Sequence, residues 1–144
     1  MKKISNIKIT IIFFVLIIPI SLFTQSKSEN VKERLQELFV LVSYEKNDQA
    51  ASYIVYRGSD ETRRWKDVYI YTNENEDKEV NRVCKDIKEM LANGGDYKFV
   101  KFKTETESEG EWCIWEVKFA TGERKKVYFA CLKINGKYCL GDID

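Results

Sequence analysis

Two residues, Asn135 and Gly136, limit the fold of this chain more than any others. They lie between KKVYFACLKI and KYCLGDI, two runs of strand-forming residues. A two-residue hairpin turn of type I′ needs positive φ at both central positions, and Asn-Gly meets that need with the least strain. The dipeptide predicts a hairpin of known register, with Ile134 opposite Lys137, Leu132 opposite Cys139 and Cys131 opposite Leu140. Opposed residues share a face, so Cys131 and Cys139 point to opposite faces and do not bond to each other.

Two more such runs precede the hairpin, YKFVKFKTE and EWCIWEVKFA, separated by SEG (108–110) and TGER (121–124). We expect four antiparallel strands near 97–106, 111–120, 125–134 and 137–143. In the second, Cys113, Trp115, Val117 and Phe119 form the more apolar alternate set, which is expected to face the helices. A three-residue loop at 121–123 sets them opposite Cys131, Phe129, Val127 and Lys125. Cys113 and Cys131 then become direct neighbours and the candidate disulfide pair.

Upstream the periodicity changes. Val31, Leu35, Leu38, Phe39 and Val42 form one helix face over 28–44, with Ser26–Glu29 or Asn30–Glu33 as the starting cap. Val80, Val83, Cys84, Ile87, Met90 and Leu91 predict a second helix over 77–93. It has Glu76 and Asp77 at its positive end and Gly94–Gly95 at its stop. Residues 50–72 are ambiguous between helix and strand, and two short helical pieces, 49–57 and 61–69, are preferred. Helices followed by a β-meander make an α+β domain, with the N-terminal helices packed on one face of a curved four-stranded antiparallel sheet.

The chain has 144 residues and no His, with a formal charge of +1. That length suits one domain. The lack of His removes His-based triads, His metal ligands and a simple switch near neutral pH. The balanced charge gives no nucleic-acid footprint. No phosphate-binding loop, nucleophile elbow or dinucleotide fingerprint occurs, and no cofactor or metal site is indicated.

Lys2 and Lys3 precede an apolar run from Ile9 to Phe23, the length of a secretory h-region and short of the ~20 residues of a membrane span. Residues 1–26 are expected to be a signal peptide cleaved after Ser26, or else an uncleaved anchor. Residues 27–144 are then the folded domain. Export to the periplasm, the outer surface or the extracellular medium follows, with membrane contact only through residues 1–26 if they stay.

Helices ahead of a curved sheet that ends in FACLKINGKYCLGDID resemble the NTF2-like superfamily, the cone-shaped α+β fold also called cystatin-like. The resemblance covers about 29–144. It is carried by Gly136, Lys137, Tyr138, Asp142 and Asp144, and by the passages YIVYRGSDETRRWKDV and EGEWCIWEVKF. The chain is most similar to small exported bacterial members with no assigned activity. The Gln-Val-Gly-type loop of cystatin inhibitors is not present, so no inhibitory residues carry over.

Several side chains are candidates for a site. Tyr53, Trp65, Tyr69, Trp115, Phe129 and Tyr138 are candidates to line an apolar pocket in the cone, and plain core packing is the alternative. Trp112, Ile114, Tyr128 and Leu132 fall on the opposite sheet face and are the candidate dimer face, which the resemblance also favours. Arg57, Arg63, Arg64 and Lys66 form an anion site or a solvated face paired with Asp60, Glu61 and Asp67. Tyr138 and Asp142 lie on one strand face in a regular strand, where a carboxylate of raised pKa would be a base.

The resulting expectation is an exported binding module for a small apolar ligand or a protein partner. The alternatives are a homodimeric interaction protein with a filled cone, and an isomerase or dehydratase of the NTF2-like kind.

Overall fold

The structure, a computed structural model, describes residues 20–144, with side chains from Ser26 onward. The predicted leader, residues 1–26, lies largely outside the described residues. Three helices, α1 (Ile20–Ser43), α2 (Asn47–Ala50) and α3 (Glu76–Gly94), precede four strands, β1 (Tyr97–Glu107), β2 (Gly110–Phe119), β3 (Lys126–Ile134) and β4 (Lys137–Ile143). The sheet is an open antiparallel meander of order β1-β2-β3-β4. The domain is α+β, as the order of periodicities implies.

The hairpin register is as the Asn-Gly turn dictates. Asn135 (φ 48°) and Gly136 (φ 81°) both take positive φ. Ile134 pairs with Lys137, Leu132 with Cys139 and Cys131 with Leu140. On the other side Cys113 pairs with Cys131 and Val117 with Val127.

The helix-facing set of β2 and β3 is the core. Cys113, Val117, Phe119, Val127, Phe129 and Cys131 join Val31, Leu35, Leu38, Phe39 and Val42 of α1 and Val80, Cys84 and Ile87 of α3 in one buried cluster. Phe39 meets Phe129 edge-on at 5.1 Å between ring centroids.

Three local expectations are corrected. First, α1 already includes Ile20, so neither Ser26 nor Asn30 caps it; residues 20–25 carry the helical ladder ahead of them. Second, helical pieces at 49–57 and 61–69 do not form. After a single 3₁₀ turn, Ala51–Tyr53, the chain extends, and Ile54 bridges Leu140 in parallel while Val55 bridges Val68. The Val55 N–H donates to the Leu140 carbonyl at 2.8 Å, a tertiary hydrogen bond that overrides local helical preference. Residues 61–66 are turns, closed by the Arg63 and Arg64 N–H groups on the Asp60 carbonyl.

Third, Tyr138 and Asp142 do not share a face. A bulge between Ala130 and Cys131 leaves Gly141 as the extra residue, so Leu140 pairs with Cys131 and Asp142 with Ala130. The switch sends Asp142 to the outer face.

The outer face has a core of its own. Val55, Leu132, Ile134 and Cys139 are buried there, with Trp65, Val68 and Trp112 packed against them. The 54–68 segment therefore folds over one half of the sheet. Trp112 lies across Gly141, where an added Cβ would come 2.5 Å from the ring.

Candidate binding site

The six aromatics proposed for one pocket are dispersed by the fold. Phe129 is fully buried in the main core, and Trp115 packs between Phe99 and Phe102 at 5.3 Å from each. The Trp115 indole N–H donates to the Ser28 carbonyl at 3.0 Å, tying β2 to α1. Tyr69 is buried, and its hydroxyl accepts the Arg57 N–H at 3.3 Å. Tyr53 lies on the outside of α1, under the Arg34 guanidinium at 3.4 Å.

Trp65 is on the far side of the sheet, edge-on to Trp112 at 5.6 Å. Trp115 and Phe129 are cross-strand partners in the core, while Trp65 and Tyr138 lie on the wall of one open groove. Alternation could not separate these residues, because Trp65 belongs to no strand or helix.

The proposed dimer face divides in the same way. Leu132 is 2% exposed and Trp112 is half-buried, both beneath Trp65 and Val55 of the same chain. Ile114 is itself buried and Tyr128 half-buried, around a shallow depression of about 100 Å³ shared with Lys101, Lys103 and Glu116. Lys126 and Lys103 stand 5.2 and 6.0 Å from the Tyr128 ring. Lys98, Lys118 and Lys126 lie directly opposite one another across three strands. Among the described residues, only Glu116, itself buried, is within ion-pair distance of Lys118 and Lys126.

Cys113 and Cys131 are direct cross-strand partners, and all four cysteines are free and buried. Burial, with a smaller push from nearby Glu111, raises the Cys113 thiol to about 11. Burial also pushes the Cys131 thiol well up. Burial thus disfavours the thiolate form of both. Among the described residues, no group of three or more Cys, Asp or Glu side chains is placed to hold a metal ion.

The arginine-rich segment is consumed by the fold. Arg63 bonds Asp67 and Glu76 at 2.7 Å each, donates to the Val68 carbonyl at 2.9 Å and lies 4.2 Å from the Tyr56 ring. Arg57 pairs with Asp142 at 2.8 Å, and Arg64 donates to the Gly58 carbonyl at 2.8 Å.

A groove of about 790 Å³ lies at the end of the sheet that carries both hairpin turns. Its sides are α1 near Ser26–Glu37, the β1–β2 turn at Glu109–Glu111 and the β3–β4 tip at Lys133–Tyr138, with Trp65 and Leu132 as apolar surface. Lys27 bridges Glu111 at 2.5 Å, which raises the Lys27 pKa. Arg34 spends its donors on the Tyr138 and Ser52 carbonyls and Glu37. Lys133, Lys137, Glu33 and Glu109 line the groove without an ion-pair partner among the described residues. Of this set, sequence reasoning placed Trp65 and Tyr138 in a pocket and Leu132 on a dimer face, and it missed the charged residues, because the groove depends on how two hairpins diverge.

Among the described residues no helix is long and apolar enough to cross a membrane. No family model, no curated protein and no solved structure matches the chain.

Proposed function

We propose that this chain is an exported, NTF2-like interaction module whose cone is filled by its own side chains and which meets its partner on its surface. One observation carries the reading. The helix-facing side of the sheet is occupied by Phe129, Val117, Val127, Leu35, Leu38 and Ile87, each 1% exposed or less. A small apolar ligand needs a void among such residues. Export rests on the Lys2–Lys3 and Ile9–Phe23 pattern. The NTF2-like reading rests on helices packed on one face of an open antiparallel meander whose last two strands are joined by the Asn135–Gly136 turn, with Lys137 and Tyr138 opening β4.

The isomerase or dehydratase alternative needs an isolated acid at the base of the cone. Glu116 is the buried acid among the described residues, and it stands on the outer face beside Lys118 and Lys126. A homodimer through the outer face would press two lysine-rich surfaces together after Trp112 and Leu132 have been covered by the chain itself.

The test is intact-mass spectrometry of the natively exported protein under non-denaturing and then denaturing conditions. A protein peak with no small-molecule increment is expected. An increment that disappears on denaturation would overturn the filled-cone reading.

A further inference from the structure

The sheet has two outer edges, and they differ. The β4 edge is occupied: Ile54 bridges Leu140, and the Val55 N–H donates to the Leu140 carbonyl. β1 forms the other edge and pairs only with β2. It runs for 11 residues, against an ordinary strand length of ~5–6. All of it is exposed except half-buried Phe99 and Phe102. Among the described residues no backbone group bonds its outer side.

Alternation identifies the free groups. The Phe119 N–H donates to the Lys125 carbonyl, and the Tyr128 and Asp144 N–H groups each donate to the other's carbonyl. In β2 the odd-numbered residues therefore bond β3, and the even-numbered ones bond β1. Opposite the even-numbered residues stand Lys101, Lys103, Glu105 and Glu107. Phe102, Thr104 and Thr106 then turn their N–H and C=O groups out of the sheet. Such an edge is a template for one more strand.

Lysines and a bulge are the usual guards of an edge, and the first half of β1 has both. Val100 is the extra residue of the bulge, and the register shifts there. From Lys101 to Glu107 the strand is regular, and its outer-face residues run Lys101, Lys103, Glu105, Glu107. Two bases followed by two acids complement the same run read in the opposite direction. Register decides whether they meet, because like charges directly opposite are destabilising. A two-fold axis at Phe102 sets Lys101 against Lys103. An axis at Lys103 or Glu105 sets that residue against itself, and one at Thr106 sets Glu105 against Glu107.

An axis at Thr104 sets Lys103 against Glu105 and Lys101 against Glu107, each twice over. The same axis pairs Phe102 with Thr106 and Thr104 with itself, so the free backbone groups meet one another. The charged pairs fall at the non-hydrogen-bonded positions, where opposed side chains come closest. Within one chain Lys103 meets Glu105 at 2.5 Å, while Lys101 and Glu107 have no ion-pair partner among the described residues.

We infer that β1 of this chain pairs antiparallel with β1 of a second copy, about a two-fold axis at Thr104, to make one sheet that continues through the dimer. This rests on the interaction-module reading and names its partner. It differs from a dimer through the outer face, because only the strand edges touch.

The test follows the exported protein by sedimentation and amide hydrogen exchange at concentrations up to ~1 mM. A single edge gives an interface of the weak class, so half-dimerisation is expected between ~10 μM and ~1 mM. Exchange at Phe102, Thr104 and Thr106 should slow as the dimer forms. Thr104→Pro removes a donor at the axis and no bond to β2, and should weaken dimerisation at least ~10-fold. Lys101→Glu with Lys103→Glu makes the run acidic, and Glu105→Lys with Glu107→Lys makes it basic. Each of these exposed double variants should dimerise at least ~10-fold more weakly, and their equal mixture should pair at least as tightly as wild type. Under mild oxidation Thr104→Cys should link two copies and Thr106→Cys should not, because only position 104 meets itself.

A protein still monomeric at ~1 mM would overturn the edge pairing. So would a dimer that Thr104→Pro or the charge variants leave unchanged, or a mixture no tighter than its parts. Equal linking through positions 104 and 106 would overturn the register. A monomer with no retained small molecule refutes the edge alone. A retained small molecule in the native mass spectrum refutes the module reading and leaves sedimentation to decide the edge by itself.

Discussion

Replacing Arg63 with Met is expected to unfasten the 54–76 segment from the domain. The guanidinium bonds Asp67, Glu76 and the Val68 carbonyl and lies over Tyr56, and its side chain is 21% exposed against 12% for Glu76. Removing one partner of a fully buried charge pair costs about 3–5 kcal/mol. Here the site is partly wet, and Glu76 keeps the Ile70 N–H at 2.6 Å and the Asn73 amide at 3.0 Å. Met also retains much of the apolar contact with Tyr56. These offsets bring the expected loss to about 2–3 kcal/mol, in line with one or two charge-assisted hydrogen bonds.

The pH dependence supplies the sharper signature. The Arg63 side chain is the largest influence on Asp67 and holds its carboxyl below the ordinary 3.8. Burial alone would raise the Glu76 carboxyl, but Arg63, the Ile70 N–H and Asn73 outweigh it and hold it below the ordinary 4.5. A carboxyl with a depressed folded pKa contributes stability above its unfolded pKa and loses it as pH falls through the folded one. The gap between wild type and Arg63→Met is therefore full at neutral pH and narrows below about pH 4.5, the ordinary Glu value. Urea unfolding followed by Trp fluorescence at pH 7, and again at the lowest pH where both proteins fold, measures this gap. A difference under ~0.5 kcal/mol at pH 7, the size of an ordinary surface substitution, would refute the clasp. A gap that does not change on acidification would refute its electrostatic basis.

Two glycines separate backbone strain from crowding. A Cβ at Gly136 meets nothing within 4 Å, so Gly136→Ala isolates the strain of φ 81° and should cost about 1–2 kcal/mol, with Gly136→Asn less damaging; equal stability of wild type and Gly136→Ala in urea would contradict the type I′ turn. Gly141→Ala should cost about 1–3 kcal/mol by driving a methyl into the Trp112 ring, and Trp112→Phe in the same chain should relieve part of that loss. Strict additivity of the two changes would show that the ring does not lie on Gly141.

Much of the domain is legible in the residues because its signals are local. Helical spacing at Val31–Val42 and Val80–Leu91 marks two helix faces, and the residues that carry it are buried where the period places them, apart from half-buried Val83 and Leu91. The Asn-Gly turn sets the register of β3 on β4, and alternation then carries it to Cys113 opposite Cys131. Asp142 escapes the reading because one bulge residue reverses a face, and alternation assumes there is none.

The segment from Ala51 to Tyr71 escapes it for a different reason. Its apolar residues fit a helix turn or a strand equally well, and the choice is made by a hydrogen bond to Leu140, far away in the chain. The groove was equally hidden. Glu109, Lys133 and Lys137 look like ordinary turn residues until the two hairpin tips bring them around one cleft. Element type, strand register and the main core follow from patterns that neighbours in sequence enforce. The covered half of the sheet, the dispersal of the aromatics and the groove at the hairpin tips come only from tertiary contacts, because each depends on groups that sequence distance keeps apart and packing brings together.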